Sequence, residues 1–226
     1  MRGHPRIRKI FAIAALASVE LASPEPDLEP DVTNRTPEYR AKFPLGKIPA
    51  FESSDGSFRL VESEAIAAYV AGCAKDPKIR LALLGGTLEE RALVQQWTSF
   101  TGHHFEPTVL KIAEFVYGPP EARGSSEEKS QMQDWDRWLT YLENHLRGDG
   151  SGGTPRKWLV SIGGGAEDCP SIADITVACV LWGGCRVFMD PESRARWPES
   201  IRWLQQIRTT PGIHESFAGL MLDEKE

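Results

Sequence analysis

Cysteine is scarce and scattered. The four in the chain, Cys73, Cys169, Cys179 and Cys185, form no CxxC pair and no four-ligand spacing. That excludes a zinc ribbon and leaves no disulfide framework, and it suits small buried thiols in a reducing, cytoplasmic compartment. Positive charge is also short: 26 Lys and Arg stand against 32 Asp and Glu, a formal charge of −6. A nucleic-acid backbone is therefore not the expected partner. No apolar run is long enough to cross a bilayer, so no membrane association is expected. The glycines of 147–155 and 162–165 lack the strand-then-helix context of a phosphate cradle and read as loops.

What is present fills 226 residues, enough to bury a sizeable core in one large domain or two small ones. The chain is organised around 42–70. Gly46-Lys47-Ile48-Pro49-Ala50-Phe51-Glu52 reads as a loop entering a strand, with Pro49 at its first position or in a tight turn. Ser53-Ser54-Asp55-Gly56 is a hairpin turn, and Phe58 and Leu60 alternate with Ser57 and Arg59 as a second strand. Glu62-Ser63 then opens an apolar run, Ala65 to Val70, that predicts a helix with Ser63 near its N-cap. A serine at the positive end of a helix beside an Ile-Pro step is a natural seat for a peptide carboxylate.

These residues resemble the second half of the thioredoxin-like domain of the glutathione S-transferase superfamily. Thr33 to Tyr39 followed by Phe43 to Glu52 is similar, more narrowly, to the transferase-like domain of translation elongation factor 1B gamma. Leu83-Leu84-Gly85, Gln95 to Phe100, Ser171 to Thr176 and Ile201-Arg202-Trp203 follow in the same order. The resemblance implies an α/β thioredoxin-like domain over 1–76 and an all-α helical domain over 87–226, usually as a homodimer. It also implies a strand before the first helix, where Met1-Arg2-Gly3 alone stand, and another near 23–30, where Pro and acid instead suggest an extended connection.

Residues 2–17 admit two readings, a secretory signal or an amphipathic helix with Pro5 in its first turn and Ile7, Ile10, Phe11 and Ala14 on one face. The resemblance selects the helix. Thr36 and Pro37 predict a short helical turn. Capping boxes at Thr87, Ser125 and Ser171 open three further helices. The first turns Leu93, Trp97 and Phe100 inward until Pro107 bends it. The second carries Met132, Trp135, Leu139, Leu142 and Leu146. The third, apolar on every face, should be central, with Asp174 as its capping acid.

For function, the resemblance implies glutathione as cofactor, lying along the sheet edge with its main chain paired to Ile48 before Pro49. Ser63 would hold the γ-glutamyl carboxylate, Glu62 the ammonium and Lys47 the glycyl carboxylate. No Tyr, Ser or Cys stands before Ser18 to steady the thiolate, so His4, Arg6, Arg8 and the first helix's N-terminus are the catalytic candidates. Phe100, His103 and His104 are expected in the pocket for a hydrophobic small-molecule acceptor. Adjacent histidines diverge on a helix and do not make a metal site. The readings carried forward are a glutathione-dependent enzyme, as in fungal secondary metabolism, catalysing conjugation or addition–elimination including double-bond isomerisation; a noncatalytic translation-factor module; and a ligand-storage or redox-sensing protein.

Overall fold

A computed structural model describes residues 4–24, 28–148, 154–166 and 169–217. Ten α-helices, four short 3-10 or π turns and one small sheet are seen among these residues. The expected strand positions at 1–3, the acidic residues 25–27 and most of the glycine loop 149–153 lie outside them.

Helix α1, Pro5–Ala17, starts because Pro5 presets φ and His4 Nδ1 accepts from the Arg6 N–H at 3.2 Å. It buries Ile10, Ile13, Ala14 and Ala17, while Ile7 and Phe11 are half-buried, so the inward face is turned from the one expected. Helix α2, Pro37–Lys42, is capped by Thr36, whose hydroxyl accepts from the Tyr39 N–H. Strand β1, Ala50–Glu52, pairs antiparallel with β2, Arg59–Val61, matching Ala50 with Val61 and Glu52 with Arg59. Gly56, at φ 71°, makes the turn between them. Among the described residues no strand precedes α1 or forms near 28–33, so the sheet is smaller than the resemblance implied. Phe58 falls outside β2 and is exposed.

Helices α3, Ser63–Gly72, and α4, Pro77–Leu84, follow. A capping box of Thr87 and Glu90 then opens α5, Leu88–Phe100. A π-helical turn, Thr101–Phe105, separates it from α6, Glu106–Tyr117, just ahead of Pro107. Val94 and Trp97 point inward, whereas Leu93 is exposed. Helix α7, Ser126–Arg147, is capped by Ser125 and buries Trp135, Leu139, Leu142 and Leu146, leaving Met132 outside.

Helix α8, Ile172–Val187, is buried from Ile172 to Cys185 and packs against α1, α5 and α6. Asp174 is wholly buried. Its carboxylate accepts from the backbone N–H groups of Leu159 at 2.8 Å and Ser171 at 3.0 Å, from the Ser171 hydroxyl at 2.6 Å and from Trp203 Nε1 at 3.2 Å. It is a structural acid, as the sequence suggested. Helices α9, Pro191–Ala195, and α10, Pro198–Thr209, complete the set, and 214–217 is a single 3-10 turn. Among the described residues no helix is long and apolar enough to cross a membrane.

Candidate functional site

The site is built where α1 and α3 begin. Glu62, at φ 68°, occupies the N-cap of α3 without a side-chain capping bond, and Ser63 is the first helical residue. Ser63 thus stands next to the N-cap, as expected, but its buried hydroxyl makes no capping bond and donates instead to Glu64 Oε2 at 3.1 Å. Glu64 in turn accepts from Lys9 Nζ at 2.6 Å. Lys9 is buried on the α1 stripe with Ile13, and its pairing draws the N-terminal turn of α1 against that of α3. Burial works to raise the Glu64 carboxyl, but the Lys9 charge and hydrogen bond, helped by Ser63, leave it below the ordinary carboxylate range.

The same turn of α1 reaches the helical half of the molecule. Arg6 Nε donates to Glu106 Oε1 at 2.9 Å, and Glu106, at the start of α6, is buried. His4 sits beside this pair. Desolvation lowers its imidazole below the usual value, opposed by Glu106 and reinforced by Arg6 and Lys9. Arg8 lies elsewhere. Its guanidinium stacks 3.5 Å from the Trp182 ring centroid on α8 and donates to the Ser216 carbonyl, so the structure does not bring it to His4 and Arg6.

The loop before β1 is clamped from outside. Asn34 Nδ2 donates to the Gly46 carbonyl at 2.6 Å and the Tyr39 hydroxyl to the Lys47 carbonyl at 2.9 Å, with Gly46 at φ 59°. The Ile48–Pro49 peptide bond is cis. Ile48 and Pro49 line a groove of about 870 Å³ with Ile7, Ile10 and Phe11 of α1 and Phe51 of β1. Lys47 is exposed, as is Glu62.

Phe100, His103 and His104 do come together, with partners the sequence did not name. Trp138 and Tyr141 of α7 complete a hollow of about 440 Å³. Phe100 lies 5.2 Å from Tyr141, and His104 lies 4.8 Å from Trp138, centroid to centroid. His103 Nδ1 lies 2.8 Å from the Ser99 carbonyl, which places its proton there. This hollow faces α7. Gly102 and Glu106, on the same π turn and its continuation, face α3 and α1: a Cβ at Gly102 would stand 3.6 Å from Glu64 Oε1.

Lys9, Glu64 and Glu106 were missed at the sequence level. Lys9 was visible in principle, as a charge in register with Ile13 and Ala17 on a buried stripe. The two glutamates gave no local signal. Among the described residues no three metal-ligating side chains cluster.

Comparison with known proteins places this geometry. Residues 1–72 match the family model described as glutathione S-transferase, N-terminal domain. A glutathione S-transferase-like protein of Aspergillus aculeatus is 34% identical over 213 residues, covering 94% of this chain and 92% of that one. Mouse elongation factor 1-gamma is 32% identical over 209 residues, covering 92% of this chain but 43% of its own length. A Pseudomonas putida glutathione transferase crystallised with glutathione disulfide shares the fold at a TM-score of 0.77 and 19% identity, over 96% of this chain and 88% of that one. With a relative this similar along nearly the whole of both chains, the protein belongs to the glutathione S-transferase family.

Proposed function

We propose that the chain is a glutathione-dependent enzyme. The observation that carries this reading is the joining of two helix N-termini by Lys9 and Glu64 at 2.6 Å, which sets Ser63 beside the cationic turn of α1. Helix N-termini favour carboxylates and thiolates, and basic side chains add to that field. Ser63 and the α3 N–H groups would take the γ-glutamyl carboxylate, Glu62 or Glu64 the ammonium, Lys47 the glycyl carboxylate, and the Ile48 main chain the cysteinyl unit. His4 and Arg6 are left to face the thiol.

A hydrophobic electrophile would dock in the aromatic hollow of Phe100, His103 and His104. Attack of the sulfur on that electrophile gives conjugation. Reversible addition to an activated double bond, rotation and elimination gives cis–trans isomerisation with glutathione regenerated. The role read for the enzyme is one in fungal secondary metabolism, as the sequence resemblance implied.

The test is retention on immobilised glutathione followed by a conjugation assay, with Ser63→Ala as the variant. Retention lost in a folded Ser63→Ala protein supports the seat, and no binding by the parent chain at millimolar glutathione refutes it. A second reading, a noncatalytic interaction module, rests on the identity to elongation factor 1-gamma. Binding without turnover across a panel of electrophiles would favour it.

A further inference from the structure

One buried carboxylate in the helical half has no role in the reading above. Glu106 is 3% exposed, and its side chain meets Arg6 through the guanidinium Nε alone, at 2.9 Å. Arg6 itself is 38% exposed at the side chain. A half-exposed arginine left to itself extends its head group into water, because hydration and side-chain entropy both favour that. Here the carboxylate, held at the first turn of α6, pins the inner nitrogen. The two terminal nitrogens have no protein partner among the described residues.

The guanidinium is planar, so fixing Nε by one bond restricts where the other two nitrogens lie. Glu106 from α6 pairs with it, and the neighbouring His4 feels Glu106, Arg6 and Lys9 together; Lys9 is already engaged by Glu64. Arg6 is thus the cation at this mouth with donors uncommitted among the described residues, and Glu106 is what keeps them there.

We propose that Glu106 is the positioning residue of the thiolate site: it orients Arg6 so that the terminal guanidinium nitrogens face a thiol bound beside the α1 N-terminus. This rests on the glutathione reading above. The step assisted is ionisation, in which the thiol proton passes to water and the electron pair stays on sulfur, stabilised by the guanidinium charge. Glu106 itself touches neither sulfur nor proton.

The experiment measures the pKa of the glutathione thiol bound to the whole protein, from the ultraviolet absorbance of the thiolate as pH is raised, alongside glutathione affinity by calorimetry. Glu106→Gln keeps the shape and removes the charge that fixes Arg6. Its bound-thiol pKa rises by about one unit or more, and kcat at neutral pH falls while glutathione affinity changes less than about threefold. Arg6→Lys guards against a folding defect, since its site is partly exposed. Lysine lacks the planar fork that lets one nitrogen be held by Glu106 while two others are aimed at the thiol, so the same pKa rise is expected with unchanged thermal stability. Glutathione bound by all three proteins with one common thiol pKa overturns the inference and leaves the functional reading standing. Failure of the parent protein to bind glutathione overturns both.

Discussion

The Lys9–Glu64 pair makes an asymmetric prediction. Lys9 is 3% exposed at its side chain and Glu64 is 34% exposed, across a 2.6 Å contact. Glu64→Gln leaves an ammonium in the interior without its counter-charge, the situation in which breaking a buried pair costs about 3 kcal/mol or more. Lys9→Met leaves the interior apolar and a carboxylate that can turn to water at a helix N-terminus, which favours negative charge. That change should cost about 1 kcal/mol, close to the range of exposed pairs. Joining the two changes removes the orphaned charge and should recover most of the Glu64→Gln loss. Urea unfolding followed by circular dichroism reads the difference: with a slope of about 3 kcal/mol/M, Glu64→Gln lowers the midpoint by about 1 M and Lys9→Met by a third of that.

The pH dependence supplies an independent check. The folded Glu64 carboxyl lies below its ordinary range, so its contribution is complete above the unfolded value and is lost as pH falls through the folded one. Lys9→Met should flatten this acid-side loss. Equal costs for the two single changes, or a double variant no better than Glu64→Gln, would refute the account of which partner is buried.

Other outcomes follow from packing and burial. A Cβ at Gly184 would stand 2.7 Å from the Trp135 ring, whereas at Gly183 the nearest atoms are 3.8 Å away. Gly184→Ala should therefore lose about 1–3 kcal/mol by overpacking, while Gly183→Ala gains up to about 1 kcal/mol of helix propensity, both read from thermal melts. Burial pushes the Cys169, Cys179 and Cys185 thiols up to about 12, and Cys73 is exposed. A disulfide-exchange reagent at neutral pH should titrate Cys73 quickly and the other three only on unfolding. Asp174→Ala orphans the four donors around that carboxylate and should cost about 3–5 kcal/mol in the same urea assay. Burial holds the Asp174 carboxyl above the usual range against the pull of its hydrogen bonds. The stability this group gives the parent protein should accordingly be complete below the ordinary aspartate range and be lost as pH rises from there through the raised folded value, and the variant should show no such loss.

The sequence alone determined the features whose causes lie within a few residues of one another. Pro5 and Pro37 open helices, Thr87, Ser125 and Ser171 cap them, and Gly56 makes the turn, because each depends on a φ angle or a hydrogen bond to a near neighbour. The buried run behind Ser171 was legible for the same reason. Tertiary structure decided the rest. Lys9 meets Glu64 across 55 residues and Arg6 meets Glu106 across 100. Helix α10 takes its cap from Glu143 of α7, which accepts from the Ser200 N–H at 2.8 Å. Arg8 turned to Trp182 because a neighbouring helix offered that partner, and Ser63 donates to Glu64, the next residue of its own helix, whose carboxylate Lys9 of α1 holds. A charged side chain's role is set by which opposite charge the packing brings within reach, and that distance is written in no local stretch of the chain.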